Sequence, residues 1–434
     1  MTDPFETPIF ILNFNQLAHL KKQIAWLITR GYKRLVIIDN NSTFQPLLDF
    51  YDSIKDSVEV IRLEKNFGKK ALWDAGIIER LCIDGPFVYT DSDIVPDDVC
   101  PKDLVGHLLA LLNRFPQLKK VGPALRIDNL PDTYKFKRDV LIWEGQFWTR
   151  PVARGMFMSP IDTTFAVYGP HTPFVTGPAL RTGWPYIARH EPWYADSSNR
   201  TEEEIFYAET AKNGNWNFAT LPEWLEASIR TMQSAQKTLL HLGSGHELMP
   251  GWINLDVQGS VGADIVFDLN NCAREKLPIA NDSIDGFFMC HVFEHIENTL
   301  SMMEELHRVA KHGAKLIIRL PHGATDAAFE DPTHKRACFP NTFVYFAQPA
   351  YSRADYGYLG DWQIERVKLI VDPHLLQSEG ETAVLERART QRNVVLEMIV
   401  ELSAVKPVRA RELRLLRWAK PTVSGSILDE DTCF

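Results

Sequence analysis

LLHLGSGHELMPGWINLD, residues 239–256, joins an apolar strand to a Gly-Ser-Gly turn and then to a second strand that ends in an acid. Glycines let a backbone come close to a ligand, and an acid at the next strand end can take both hydroxyls of a ribose. A dinucleotide fingerprint would carry a third glycine and a longer spacing to its acid, so the stretch points away from NAD and toward another nucleoside. The pattern continues outward. GADIVFDLN places Asp268 at a third strand end, IDGFFMC runs as a fourth strand into His291, and KLIIRLP makes a fifth. Short β-rich runs alternating with helical periods predict a parallel, Rossmann-like sheet.

The same alternation occurs earlier, in PIFILNFNQ, LAHLKKQIAWLITRGY and RLVIIDNNST. A chain of 434 residues exceeds one ordinary core. Two α/β domains follow, over 1–233 and 234–407, with 408–434 read as a basic helix and tail. That tail is a candidate for peripheral contact with a membrane surface.

In the first half, FVYTDSDIVPDD ends an apolar strand in Asp91 and Asp93. Two carboxylates one residue apart at a strand tip can share one hard cation, Mn²⁺ or Mg²⁺, whose shell a diphosphate completes. An EF-hand loop is excluded, because Val95 and Pro96 stand where a ligand and the obligatory glycine are required. Asp97 and Asp98 read as the start of a helix. Asp39 closes the second strand, where a base or ribose would meet the sheet edge. Asn66, the Gly68 turn and Lys69 and Lys70 beside a helix start suit a diphosphate.

As an ensemble these motifs resemble an inverting family-two-type glycosyltransferase with the GT-A fold, over about residues 7–225. The resemblance implies a nucleotide-sugar donor held by Asn13, Asp39, Asn66, Lys69, Asp91 and Asp93, with the metal on Asp91 and Asp93. It also implies a catalytic carboxylate before a helix that ends in a glycine turn. Counting back from Gly214 in NRTEEEIFYAETAKNGNW aligns Glu203 with that base and puts Glu204 next, leaving Glu202, Glu203 and Glu204 open. Such a carboxylate would take the acceptor's proton. The competing reading of these acids is a helix N-terminus after Thr201 as cap. A loop-rich stretch around WPYIARHEPWY offers His190 and Trp193 for the glycan acceptor, against plain aromatic packing.

The second half resembles a class I S-adenosylmethionine-dependent methyltransferase of the surface-polysaccharide group, over about 237–407. The resemblance implies that Gly243 and Gly245 cradle the methionine part of the cofactor, with Asp256 on the ribose and Asp268 with Leu269 flanking the adenine. His291 stands at the same cofactor edge. His241 occupies a position where that superfamily mostly has an acid. H-x-x-E-H at 291–295 is also an inverted zinc-protease signature, but the strand directly before it argues against that reading. Glu294 and His295 are expected to order the loop over the site. In LPHGATDAAFEDPTHKRACF, His334 is the expected base for methyl transfer to a sugar hydroxyl, ahead of His295.

Lys plus Arg number 47 against 56 Asp plus Glu, a net charge of -9, which excludes a protein built to neutralise nucleic-acid phosphates. Six scattered cysteines without a C-x-x-C pair fit a reducing interior. With no apolar run near the ~20 residues a bilayer requires and no signal segment, the expected compartment is the cytoplasm. The joint expectation is a bifunctional glycan-modifying enzyme, both glycosyltransferase and methyltransferase. Its alternative is an active methyltransferase with a catalytically retired glycosyltransferase-fold recognition domain. A nucleotidyltransferase is disfavoured, since LNFNQLAHL lacks the Gly-rich basic loop it would carry.

Overall fold

The computed structural model describes residues 3–55, 58–175, 179–211, 223–234, 237–352, 354 and 356–427. Two compact α/β units divide the chain, Met1–Arg150 with Gly155–Ala235, and Pro151–Arg154 with Gln236–Phe434.

The first sheet contains β1 (Ile9–Asn13), β2 (Leu35–Asp39), β3 (Glu59–Arg62), β4 (Phe87–Asp91), β5 (Ile94–Pro96), β6 (Lys120–Leu125), β7 (Pro151–Ala153), β8 (Met156–Met158), β9 (Ala166–Tyr168) and β10 (Leu180–His190). Their order is β3-β2-β1-β4-β9-β6-β10-β8-β7, with β5 beside β10. β1 and β2 are buried at every position, which explains why they read as unbroken apolar runs rather than alternating ones. β1 pairs in parallel with β2 on one side and β4 on the other. The order therefore reverses at β1, and a crevice opens beyond the carboxyl ends of β1 and β4, at Asn13 and Asp91. β9 runs antiparallel between β4 and β6.

The second sheet contains β11 (Leu239–Leu242), β12 (Ile253–Asp256), β13 (Ile265–Val266), β14 (Ile284–Cys290), β15 (Ala310–Pro321), β16 (Trp362–Val371), β17 (Val395–Ala404) and β18 (Pro421–Ser424). The order is β13-β12-β11-β14-β15-β17-β16-β18, parallel from β13 through β15. This is the Rossmann-like sheet expected for a class I methyltransferase fold, again reversing at its first strand. β17 is inserted antiparallel between β15 and β16. Its core is dense with aliphatic and aromatic side chains, and Trp362, fully buried, donates from Nε1 to the Met303 carbonyl at 2.9 Å.

Two expectations are corrected. The segment after 407 forms only a short 3₁₀ turn over Leu413–Leu415, and then β18, which pairs in parallel with β16. Its backbone groups find partners in a sheet edge, which an isolated basic helix could not offer; residues 428–434 lie outside the described part. Asp97 does not start a helix either. It is buried and takes Arg189 Nε at 2.7 Å and Arg126 Nη1 at 3.3 Å. No helix among the described residues is long and apolar enough to cross a membrane.

Candidate functional site

In the first unit a cavity of about 710 Å³ opens at the carboxyl ends of β1 and β4. Asp91, Asp93, Asn66, Lys69, His190 and Trp193 all line it, drawn from separate parts of the chain. Asp91 receives the Thr163 hydroxyl on Oδ2, and its amide donates to the Thr163 carbonyl at 2.9 Å. Burial, and then the charge of Asp93, push its carboxyl well above the usual range. Asp93 Oδ2 accepts from Gln16 Nε2 at 3.3 Å and lies 3.6 Å from His190 Nε2. Its other oxygen, Oδ1, is buried with no hydrogen-bond partner among the described residues. Two crowded carboxylates with an unmet oxygen are a donor set that fits a hard divalent cation. His190 has its basicity lowered by burial, and its ring stacks at a tilt on Trp193, 4.5 Å between centroids.

Asn66 Oδ1 accepts from Asn40 Nδ2 at 2.8 Å and from the Gly68 amide at 2.7 Å, fixing the turn that carries Lys69. Lys69 Nζ pairs with Asp162 at 2.9 Å. Asn13 and Asp39 are not at the cavity wall. Asp39 is fully buried, with Tyr51 Oη, Arg62 Nε and the Ser42 amide each at 3.2 Å from one of its oxygens. Tyr51 in turn accepts from Asn13, whose Oδ1 takes the Ser92 hydroxyl at 2.6 Å. The two residues thus belong to a polar chain that ties β1, β2 and the Asp91–Asp93 tip together, directly behind Leu12, Phe14 and Asn40 on the cavity wall.

The acids before the helix Glu202–Thr210 also depart from expectation. Glu204 closes a capping box with Thr201, accepting the Thr201 amide at 2.7 Å. Glu203 accepts the amides of Leu17 and Ala18 at 2.7 and 3.0 Å. Neither lines the cavity, and Glu202 is exposed. The competing capping reading thus describes Glu204 at its own helix, whereas Glu203 is claimed by the start of the helix Ala18–Thr29. Gly214, the anchor of the count, lies outside the described residues. Thr163, Asp162, Gln16 and the buried Glu144–Arg181 pair (3.0 Å) also line the cavity. No local motif marks them; the antiparallel β4–β9 register, Tyr89 opposite Ala166, delivers Thr163 to Asp91.

In the second unit the β11 turn places Gly243 and Gly245 at positive φ, 67° and 53°. A Cβ on Gly243 would stand 2.2 Å from Val292 Cγ2. Asp256, buried at the end of β12, accepts the Gly245 amide at 2.8 Å and the Gln258 amide at 2.9 Å. An ionised carboxylate has about four lone-pair sites, so acceptor capacity remains for a ribose. Asp268 caps the following 3₁₀ turn through the Asn270 amide, and Leu269 is buried in the core. His241 is enclosed near Trp252 and Phe288 and opposite Asn254 Oδ1 at 3.3 Å; burial pushes it down to about 4.

His291, at the end of β14, faces Glu294 at 3.3 Å and Glu397 at 3.5 Å, and these partners raise it to about 9. Burial alone would raise Glu397, but His291 and Arg319 hold it down to about 2. His295 and His334 come together, 4.7 Å between ring centroids.

Residues 246–318 match the family model of a methyltransferase domain. Among solved structures, an S-adenosylmethionine-dependent methyltransferase from Archaeoglobus fulgidus is 16% identical, with 42% of this chain and 93% of that one covered at a TM-score of 0.28. A mannosyltransferase from Pyrobaculum calidifontis, solved with GDP-Man and Mn²⁺, is 11% identical over 54% of this chain and 76% of that one, TM-score 0.30. The TarS 1–349 structure from S. aureus is 12% identical over 38% and 47%, TM-score 0.26. Resemblance at these scores bears on neither activity nor substrate. No curated protein matches the chain.

Proposed function

We propose that the chain is a two-site enzyme of glycan modification. The first unit transfers a sugar from a nucleotide donor, and the second, which carries the methyltransferase domain, methylates a sugar using S-adenosylmethionine, in bacterial surface polysaccharide synthesis. The observation that carries the first half is the unmet Asp93 Oδ1 beside Asp91 in the cavity. Mn²⁺ or Mg²⁺ on these carboxylates would stabilise charge on a departing diphosphate. Lys69 stands on the same wall to meet phosphate oxygens, and His190 with Trp193 offers an acceptor platform. In the second half Gly243, Gly245 and Asp256 hold the cofactor, and the His295–His334 pair faces the acceptor. Joining two steps in one chain raises the effective concentration of one product at the next site.

The capped state of Glu203 and Glu204 favours a second reading, in which the first unit binds its nucleotide and glycan but does not turn them over. Calorimetric titration with UDP, GDP, CDP and dTDP, with and without Mn²⁺, tests the donor site, and donor hydrolysis separates the two readings. Metal-dependent binding of one nucleotide with turnover supports the enzyme. Binding without turnover supports the recognition domain, and no binding removes both. Methyl transfer from S-adenosylmethionine to glycan extracts, absent in Asp256→Ala, tests the second half.

A further inference from the structure

We infer that Glu294, His295 and His334 form a site for a Zn²⁺-class cation at the carboxyl end of β14. One ligand atom from each lies within 4.8 Å of the others. Ligands at 2.0–2.2 Å from zinc sit roughly 3.4 Å apart in a tetrahedron, so small side-chain adjustments would close the set.

The hydrogen bonds around both imidazoles set their chemistry. His334 Nδ1 is 3.1 Å from the Ala328 carbonyl, which can only accept, so a proton sits on Nδ1, and Nε2, 3.9 Å from Asp331 Oδ2, is the atom left to a metal. The Thr333 hydroxyl gives its hydrogen to Asp331 Oδ1 at 2.6 Å, so its oxygen accepts from His295 Nδ1 at 2.9 Å. That again leaves Nε2 to a metal. Two imidazoles, each held through Nδ1 by a fixed oxygen, are the outer arrangement that metal-binding histidines use.

Glu294 supplies the second observation. Its side chain is about 3% exposed, and neither oxygen has an aligned hydrogen bond among the described residues. The nearest cation, His291 Nδ1, stands 3.3 Å from Oε1 and pairs with it, leaving Oε2 without a partner among the described residues. A buried carboxylate with an unmet Oε2 beside two imidazole Nε2 atoms is a donor set for zinc, cobalt or a similar ion. The protease signature is therefore half used: its first histidine turns to Glu397, and His334, from a distant loop, takes its place. Val292, two residues before Glu294, packs on Gly243, so the site adjoins the glycine turn. The remaining coordination position would take an oxygen of the acceptor, a role that rests on the proposed methyl transfer, whereas cation binding does not.

The test uses the full chain with Asp93→Ala, so that the first cavity does not count, stripped with chelator and titrated with Co²⁺ and then Zn²⁺. The expected result is one Co²⁺ per chain with visible d–d absorption, displaced by Zn²⁺. His295→Ala and His334→Ala should abolish the band. Thr333→Val, at an exposed position, should weaken affinity about tenfold through His295. His374→Ala, an exposed histidine elsewhere, should change nothing. A band that survives the His295→Ala/His334→Ala pair, or no stoichiometric uptake at all, overturns the site. Uptake without methyl transfer would keep the cation site and remove the acceptor role.

Discussion

Glu203 accepts the backbone amide of Leu17 at 2.7 Å, capping a helix from across the fold. The helix Ala18–Thr29 begins after Leu17, whose side chain provides no cap, so its first amides would otherwise need water. Removing a capping acceptor typically costs about 1 kcal/mol, or about 3 °C in a domain of this size. We expect Glu203→Ala to lower Tm by that amount and leave metal-dependent nucleotide binding intact. A general base would behave differently, with turnover falling about 10²–10⁴-fold and Tm unchanged. Measuring both quantities on one variant distinguishes the two.

Asp93 and Asp91 repel each other in a buried setting, and a cation is the natural remedy. Asp93→Asn should therefore abolish Mn²⁺-dependent nucleotide binding while Tm without metal stays at or above that of wild type. A variant that binds nucleotide and Mn²⁺ like wild type would exclude Asp93 as a ligand. A large fall in Tm would show that its role is structural.

The strand-end acids were legible because a parallel sheet announces itself through buried runs such as IFILN and LVIID, and because its carboxyl edge is where such acids collect. What stayed hidden depends on long-range pairing. Thr163 reaches Asp91 only through the β4–β9 register, and Glu203 reaches Leu17 across 186 residues. Asp39 was visible as a strand-end acid, but its enclosure by Tyr51, Arg62 and Ser42 was not, since the arginine and tyrosine come from other elements. The tail misled because charge suggests a solvated helix, whereas PTVS had a vacant sheet edge to join.

Gly243 should be far less replaceable than Gly251, although both have positive φ. A Cβ added to Gly251 would meet no atom within 4 Å, so Gly251→Ala faces only backbone strain, about 1–2 kcal/mol. At Gly243 the new methyl would collide with Val292 Cγ2 at 2.2 Å. Gly243→Ala should cost about 1–3 kcal/mol more and lose cofactor binding. Adding Val292→Ala should restore part of the stability, a coupling that a double-mutant cycle reads directly. Strictly additive losses would mean that Val292 is not what limits the turn.

His241 makes folding depend on pH in a defined window. Burial holds it down to about 4, against an ordinary value of 6.5. The unfolded chain binds a proton below about 6.5 that the folded one refuses until about 4, so the contribution is complete above 6.5 and is lost as pH falls toward 4. The full loss is about 3 kcal/mol. His241→Phe keeps the aromatic contact with Trp252 and Phe288 and removes the titrating group, while Asn254 Oδ1 keeps the Met249 amide at 2.8 Å. Urea unfolding of both proteins between pH 7 and 4 should give a shallower decline for the variant, by up to one proton per chain. Parallel declines would show that His241 takes up its proton in the folded state, and with it that the pocket admits water.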